Sequence, residues 1–452
     1  MKSKKIGLAI LAACAALVVY LALPLSCPEP ARRTAAVFVL AALFWALEII
    51  PLFATSLLVV LLLVFFLAKP GGILGMDETG YQIFLLPFSN PVIMLFLGGF
   101  VLAKVVQKYR ADQAMVSRLL PFFGTKPYFI LLGFIFATAF LSLWMSHTAS
   151  TALMLAIIAP ILSRLDEDDY FKKALVLAIP FSANIGGIGT PVGTPPNAIT
   201  IGILAEQGIK IHFLSWMMMA IPLALILLLL TSVILYFMFP PKHRKLPILF
   251  EFKEKLGARA KGAVAIGLLT VVLWLTSGWH RVPESVVSLL SVALFSAFGF
   301  LTREDMNGIH WDILVLMWGG LALGKAMEVS GLGQWVVTLP LFSQTGFLLV
   351  ATFCLLTVLV SIFISNTATA NLIVPLAMSL QGENRLLLAV IVALSCSFDM
   401  ILPISTPSNA LAFSTKAIST WDMLKSGSLI VMIAIVFLLL GYPFFITRVL
   451  NP

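Results

Sequence analysis

Ser146-His147-Thr148-Ala149-Ser150 returns later in the chain as Ser365-Asn366-Thr367-Ala368-Thr369. About forty residues after each copy comes a second matched string. Pro191-Val192-Gly193-Thr194-Pro195-Pro196-Asn197-Ala198 pairs with Pro403-Ile404-Ser405-Thr406-Pro407-Ser408-Asn409-Ala410. These small polar and helix-breaking residues lie inside long apolar stretches. In lipid, an interrupted backbone survives only where protein or a water-filled cavity satisfies its polar groups. Interrupted hydrophobic segments at matching places in two halves point to a binding site formed at mid-membrane.

Outward from these strings, residues 127–163 and 345–382 each form a long apolar stretch with no Asp, Glu, Lys or Arg and a polar cluster at the centre. A turn in water usually collects charge, and these turns have none. Both are therefore read as re-entrant hairpins with tips inside the membrane; the alternative is two extra spans per hairpin. Hydropathy places full spans near 6–24, 34–50, 52–68, 91–108, 174–205, 213–239, 262–278, 284–301, 312–328, 386–413 and 426–447. The repeat extends to Leu97-Gly98-Gly99 and Leu102-Ala103-Lys104, matched by Trp318-Gly319-Gly320 and Leu323-Gly324-Lys325. Its register is 221 residues at the glycine pairs (98 to 319), 219 at the tips (146 to 365) and 212 at the proline strings (191 to 403). The acidic loop Asp166-Glu167-Asp168-Asp169 accounts for the last change. An odd number of crossings separates the starts of the two halves, so the repeat is inverted. The expected fold is an all-α polytopic membrane protein of about 11 transmembrane helices plus two re-entrant hairpins, in two inverted-topology repeats. The expected parts are residues 1–33 (first helix and loop), 34–240 (first repeat), 241–261 (basic linker) and 262–452 (second repeat).

Composition supports this class. Of 452 residues, 60% are hydrophobic and 11% charged, and the mean hydropathy is +1.06. No soluble domain of this length hides so much apolar surface. A net charge of +9 raises the question of nucleic acid, but the basic residues sit in short loops between apolar runs; no nucleic-acid partner is expected. Lys242, Arg244, Lys245, Lys253, Lys255, Arg259 and Lys261 crowd one such loop, the mark of a cytoplasmic segment. Lys2, Lys4 and Lys5 place the N-terminus in the cytoplasm, and counting crossings places the Lys104–Lys126 segment there too, with the C-terminus external. The first hairpin then opens to the cytoplasm and the second to the exterior. Arg32 and Arg33 fall on the outer side, against the rule. The first 24 residues resemble a signal peptide and are read instead as an uncleaved first helix. The expected location is the plasma (cytoplasmic, inner) membrane, with lipid as the surrounding partner. Cys14, Cys27, Cys354 and Cys396 lack metal-ligand spacing and are read as small buried residues.

Neither tip carries Lys or Arg, and neither do the interrupted spans expected over 174–205 and 386–413. An anion held here needs neutral donors, half-helix N-termini and bound cations. Ser142 and Ser146 are spaced i, i+4, as are Ser361 and Ser365, so each pair lies on one helix face leading into its tip. With carbonyls freed at Gly193 and Ser405, these oxygens make two symmetry-related sites for a hard cation such as Na⁺. The bland reading is that the hydroxyls only mend backbone or pack helices; the duplication favours function. His147 breaks the symmetry, as either a neutral substitute for Asn or a proton-sensitive group. Asp399, an acid within a span, is either functional or a local cap. Asn197 and Asn409 are further polar candidates in the breaks. Glu48 is read as structural, and Lys104 and Lys325 as snorkelling.

The Ser-x-Thr tips, the Thr-Pro-x-Asn-Ala breaks, the repeat and the hairpins together resemble the divalent anion–sodium symporter family, whose members carry dicarboxylates, citrate or sulfate. The resemblance covers nearly the whole chain after the first helix. It implies a homodimer in which a transport domain built from hairpins and broken helices moves by an elevator mechanism against a scaffold. It implies anion contacts at His147, Thr148, Asn366 and Thr367, and at Thr406 and Pro407 with Thr194 and Pro195 as their counterparts. It implies Na⁺ sites at Ser142, Ser146, the tip's middle residue and Gly193 in one half, and at Ser361, Asn366 and Ser405 in the other. The family's first tip has Asn where this chain has His147, and imidazole is a poor Na⁺ ligand.

The sequence thus predicts import of a small dianion, foremost a C4-dicarboxylate, with Na⁺. Its alternatives on the same fold are a sulfate or citrate carrier, a proton-coupled carrier or an anion exchanger. An intramembrane enzyme using Ser146 with His147 or Asp399 is disfavoured. Adjacent tip residues point apart, and no Gly-x-Ser-x-Gly or His-Glu-x-x-His string is present. An ion channel would not need two inverted broken-helix sites.

Overall fold

The computed structural model describes residues 2–245, 256–336, 338–339, 342, 345–380 and 385–440. Part of the basic linker, the end of the second hairpin and the end of the last span lie outside these, as does the C-terminus. Among the described residues the chain is helical and forms no strand. Among the described residues, six helices are long and apolar enough to cross a membrane, including Phe213–Met238, Ala258–Leu275 and Thr420–Leu440. The span expected over 52–68 runs as an α-helix over Leu52–Leu63 and continues as a π-helical turn over Val64–Ala68.

Both hairpins form where the uncharged stretches predict. The first has arms Pro127–Ser142 and His147–Leu162, each of 16 residues. At 1.5 Å per residue each arm reaches about 24 Å, short of the roughly 30 Å hydrocarbon layer. The second has arms Gly346–Phe363 and Asn366–Ser379, of 18 and 14 residues. Its return arm reaches about 21 Å. The lengths of both arms of the first hairpin and of the return arm of the second suit helices that turn back inside the membrane, whereas Gly346–Phe363 is itself among the six helices long and apolar enough to cross it.

Both long spans containing the proline strings are broken. The first runs over Phe171–Gly187 and restarts at Pro195–Glu206. The second runs over Arg385–Ser395 and restarts at Pro407–Ser414. Proline cannot donate an intrahelical hydrogen bond but suits the first turn, so each restart begins on one.

The chain divides into two compact units. One comprises residues 1–93, 198–210 and 310–396. In it Trp311–Val329 packs against Leu52–Leu63 and Asn366–Ser379. A Cβ at Gly319 would lie 2.4 Å from Ser56 Cβ, and one at Gly320 would lie 1.8 Å from Asn371 Oδ1. Only glycine allows approaches this close. Arg32 and Arg33 both pair with Glu29, and Arg32 also donates to the Tyr20 carbonyl. These local partners offset the charges of both arginines. Lys325 meets Glu328 at 3.0 Å. Glu48 adopts a left-handed turn (φ 45°), and its carbonyl accepts from Lys5 Nζ, in keeping with a structural role.

The other unit comprises residues 94–197, 211–309 and 397–452. Its centre is Phe171–Gly187, whose residues are buried along most of the helix. Both arms of the first hairpin, Phe213–Met238 and Pro407–Ser414 pack around it. Gly98 lies against Ser288 as Gly319 lies against Ser56, again at 2.4 Å from an added Cβ.

One expectation about cysteine fails. Cys14 is exposed, whereas Cys27, Cys354 and Cys396 are buried. The first helix presents most of its surface outward, and hydropathy does not distinguish a lipid-facing position from a core one.

Candidate functional site

Each hairpin tip is a helix N-terminus capped by serine. Ser146 Oγ accepts from the Ala149 N–H at 3.3 Å, and Ser365 Oγ accepts from the Ala368 N–H at the same distance. A first helical turn has four N–H groups without intrahelical acceptors, and each cap takes one of them. The remainder and the helix dipole favour an anion at the tip. His147 and Thr148 sit in this first turn in one repeat, with Thr148 exposed and His147 half-buried. Asn366 and Thr367 hold the same place in the other repeat, both half-buried.

Four residues before each cap, a serine ties the tip to a broken helix. Ser142 Oγ donates to the Ala183 carbonyl at 2.7 Å, and Ser361 Oγ donates to the Cys396 carbonyl at 2.7 Å. Both serines are fully buried. Each hydroxyl spends its proton on a carbonyl, so its lone pairs remain to face a cation.

The breaks are held open by asparagine. Asn197 Nδ2 donates to the carbonyls of Gly187, Ile188 and Thr190 at 3.2, 3.2 and 2.7 Å. Asn409 Nδ2 donates to the carbonyls of Asp399 and Leu402 at 2.9 and 3.0 Å. Two of these acceptors correspond under the 212-residue register. The Asn of each Pro-x-Asn string is thus a clamp on the broken backbone. Thr406 caps its restart by accepting from the Asn409 N–H at 3.1 Å. Thr194, Ser405 and Thr406 are buried, and Pro407 is exposed. Pro195 is half-buried at the start of its helix.

Residues that sequence reasoning missed brace the first tip and break. Thr190 Oγ1 donates to the Leu143 carbonyl at 2.6 Å, and the fully buried Trp216 donates its indole N–H to the Ile188 carbonyl at 3.0 Å. Trp144, beside the tip, stacks on Phe213, which stacks on Trp274, with ring centroids 6.3 and 5.1 Å apart. Glycine makes the packing possible. A Cβ at Gly186 would lie 2.5 Å from Ala139 Cα, and one at Gly193 would lie 2.4 Å from the Gly187 carbonyl oxygen.

Asp399 is fully buried, and its Oδ1 accepts from Asn184 Nδ2 at 3.1 Å. Asn184, also fully buried, was not singled out by the sequence reading. Its signal lies in the register, where Asn184 stands opposite Cys396 and Asp399 stands opposite Gly187.

The oxygens of Ser142, Ser146 and Gly193 in one unit, and of Ser361, Ser365 and Asn366 in the other, are of the kind that a hard monovalent cation such as Na⁺ takes; Ser405 offers a further oxygen of that kind. The imidazole of His147 does not fit that preference.

Residues 2–447 match the family described as the sodium:sulfate symporter transmembrane region. The chain belongs to this family. Members of the sodium:sulfate symporter family are transporters, and no enzymatic role attaches to the chain. It is 32% identical to the sodium-dependent dicarboxylate transporter SdcS of Staphylococcus saprophyticus, over 92% of this chain and 87% of that one. It is 31% identical to an uncharacterized transporter of Haemophilus influenzae, over 90% of each. In fold it is similar to the solved structure of MtrF from Neisseria gonorrhoeae, with a TM-score of 0.55 at 13% identity, covering 94% of this chain and 96% of that one. MtrF is described as illuminating a class of antimetabolite efflux pumps; at this identity the likeness concerns fold alone.

Proposed function

We propose that this member of the sodium:sulfate symporter family imports a small divalent anion, a C4-dicarboxylate, together with Na⁺. The observation that carries the reading is the pair of capped tips, each tied by a buried serine to a broken helix, with no Lys or Arg in either motif. A dianion at such a site is held by helix N-termini, hydroxyls and amides. Bound cations supply the missing positive charge. The relatives named sodium-dependent dicarboxylate transporters support both the ion and the substrate class.

In this reading His147, Thr148, Asn366 and Thr367 contact the anion, with Thr194-Pro195 and Thr406-Pro407 presenting restarted helices to it. Ser142, Ser146 and Gly193 serve Na⁺ in one repeat, and Ser361, Ser365, Asn366 and Ser405 serve it in the other. The protein works as a homodimer by an elevator movement, with the N-terminus in the cytoplasm.

Uptake of radiolabelled succinate into proteoliposomes, under separately imposed Na⁺ and pH gradients, tests the proposal. An inward Na⁺ gradient should drive accumulation. Uptake driven by a pH gradient and indifferent to Na⁺ overturns the coupling. A thermal-shift screen of dicarboxylates, citrate and sulfate, with and without Na⁺, tests the substrate. The bound anion raises stability in proportion to its occupancy, and stabilisation by sulfate or citrate instead of dicarboxylates overturns the assignment.

A further inference from the structure

Away from the tips, helix Ala111–Leu119 and the first hairpin's first arm, Pro127–Ser142, enclose a cavity of about 330 Å³ within one compact unit. Its lining is apolar except for Arg118, with Met115 and Phe122 on one side and Ala137 and Phe140 on the other. The chain passes between the two helices through a 3₁₀ turn at Leu120–Phe123 and a left-handed Gly124 (φ 69°). Phe123 settles on Gly133, where an added Cβ would lie 2.8 Å from its ring. That contact holds the short helix along the arm. The neighbouring Phe122 is instead 89% exposed, and Met115 and Phe140 are exposed as well. In a membrane protein, an open apolar cavity of this kind marks a place where hydrocarbon packs.

Arg118 narrows the choice of occupant. It is exposed, and among the described residues its guanidinium has no hydrogen-bond or ion-pair partner. The one acid on its helix, Asp112, is buried and engaged elsewhere, its Oδ1 accepting from the Gln113 N–H at 2.8 Å. The helix dipole favours a basic residue in the last turn, but it does not explain a guanidinium lining an apolar cavity. A charge beside hydrocarbon needs a counter-ion held in the same place. The planar fork of arginine matches two oxygens of a phosphate. A molecule with a phosphate at one end and hydrocarbon at the other satisfies both parts of the cavity.

We propose that this cavity binds an anionic phospholipid, with an acyl chain between Phe122 and Phe140 and the headgroup phosphate on Arg118. The buried Asp112 is the only acid between Ala111 and Pro127, and Lys126 is exposed, so the surface of this segment is basic. Such a surface favours a headgroup of net negative charge over one that brings its own cation. Ala137, Phe140 and Leu141 share one face of the arm by their i, i+3, i+4 spacing, while Ala139 packs on Gly186 from another. The lipid therefore supports the hairpin on a face that the broken helix does not cover.

The test uses the full-length protein, delipidated in detergent. Native mass spectrometry compares binding of phosphatidylglycerol with that of phosphatidylcholine. Thermal shift compares stabilisation by each lipid and by inorganic phosphate. The wild type should bind phosphatidylglycerol in preference and gain Tm from it. Arg118→Gln should weaken that binding at least about tenfold. Arg118→Lys keeps the charge without the fork and should fall between the two. Phe122→Ala, at an exposed position that leaves the fold intact, should weaken it through the chain. Wild-type affinity in both Arg118→Gln and Phe122→Ala overturns the site. Equal binding of phosphatidylcholine overturns the selection by charge, and equal stabilisation by inorganic phosphate overturns the lipid as occupant. None of these results depends on which solute the protein carries, so a failure here leaves the transport reading untouched.

Discussion

The first repeat and the second make the same local bonds with different margins. Both tips are capped by serine at 3.3 Å, and both buried serines reach a carbonyl at 2.7 Å. The first break spans Ile188–Thr194, is buried throughout and is clamped at three carbonyls. The second spans Cys396–Thr406, includes the exposed Ile404 and is clamped at two. Helix caps and clamps are thus the shared frame. The individual chemistry of this chain sits at His147, Asn184 and Asp399, where the copies diverge.

The largest expected effect probes what the copies share. Asn366→Ala and Thr367→Ala should each lower Na⁺-driven uptake by roughly a hundredfold, to background, because a half-buried donor to a charged ligand is lost. Normal insertion, judged by size-exclusion profile, with normal uptake in both variants would dissolve the analogy between the tips. Next comes Gly187→Ala, which drives a methyl group into the His147 ring and should cost about 1–3 kcal/mol of stability. Adding His147→Ala should recover much of that loss in Tm. An unaltered Tm for the single variant would mean that the ring moves aside freely. A smaller contrast is expected between the clamps. Removing Asn197 frees three carbonyls and removing Asn409 frees two, at about 1 kcal/mol per lost bond. Asn197→Ala should therefore lower Tm more than Asn409→Ala, and the reverse order would break the comparison. The smallest change is His147→Asn, which makes the tips alike. It should retain uptake and sharpen the Na⁺ dependence, and total loss of uptake would assign the imidazole a role of its own.

The sequence reading anticipated the hairpins closely. Pro127–Leu162 occupies the stretch predicted over 127–163, and Gly346–Ser379 occupies that predicted over 345–382. Both breaks fall at the proline strings. These features were legible because a break in lipid needs polar and helix-stopping residues at the break itself, and such residues stand out against leucine and valine. The bracing groups were not legible. Trp144, Phe213 and Trp274 read as ordinary apolar residues, and their stack depends on contacts far apart in the chain. Asn197 was visible as a polar residue, but its service to three carbonyls follows from the geometry of a backbone that has already left the helix. Asn184 went unnoticed because a lone amide in an apolar run carries no pattern. It becomes conspicuous only when aligned against Cys396 in the other copy.

Trp216 gives the first break a built-in optical reporter. Its indole N–H is fixed on the Ile188 carbonyl in a fully buried site, so the ring's emission depends on whether that peptide keeps its place. Replacing the other tryptophans among the nine with phenylalanine would leave a single fluorophore at the interruption. Its wavelength, followed during stopped-flow mixing with salt or substrate, would record the opening and closing of that backbone without any attached dye.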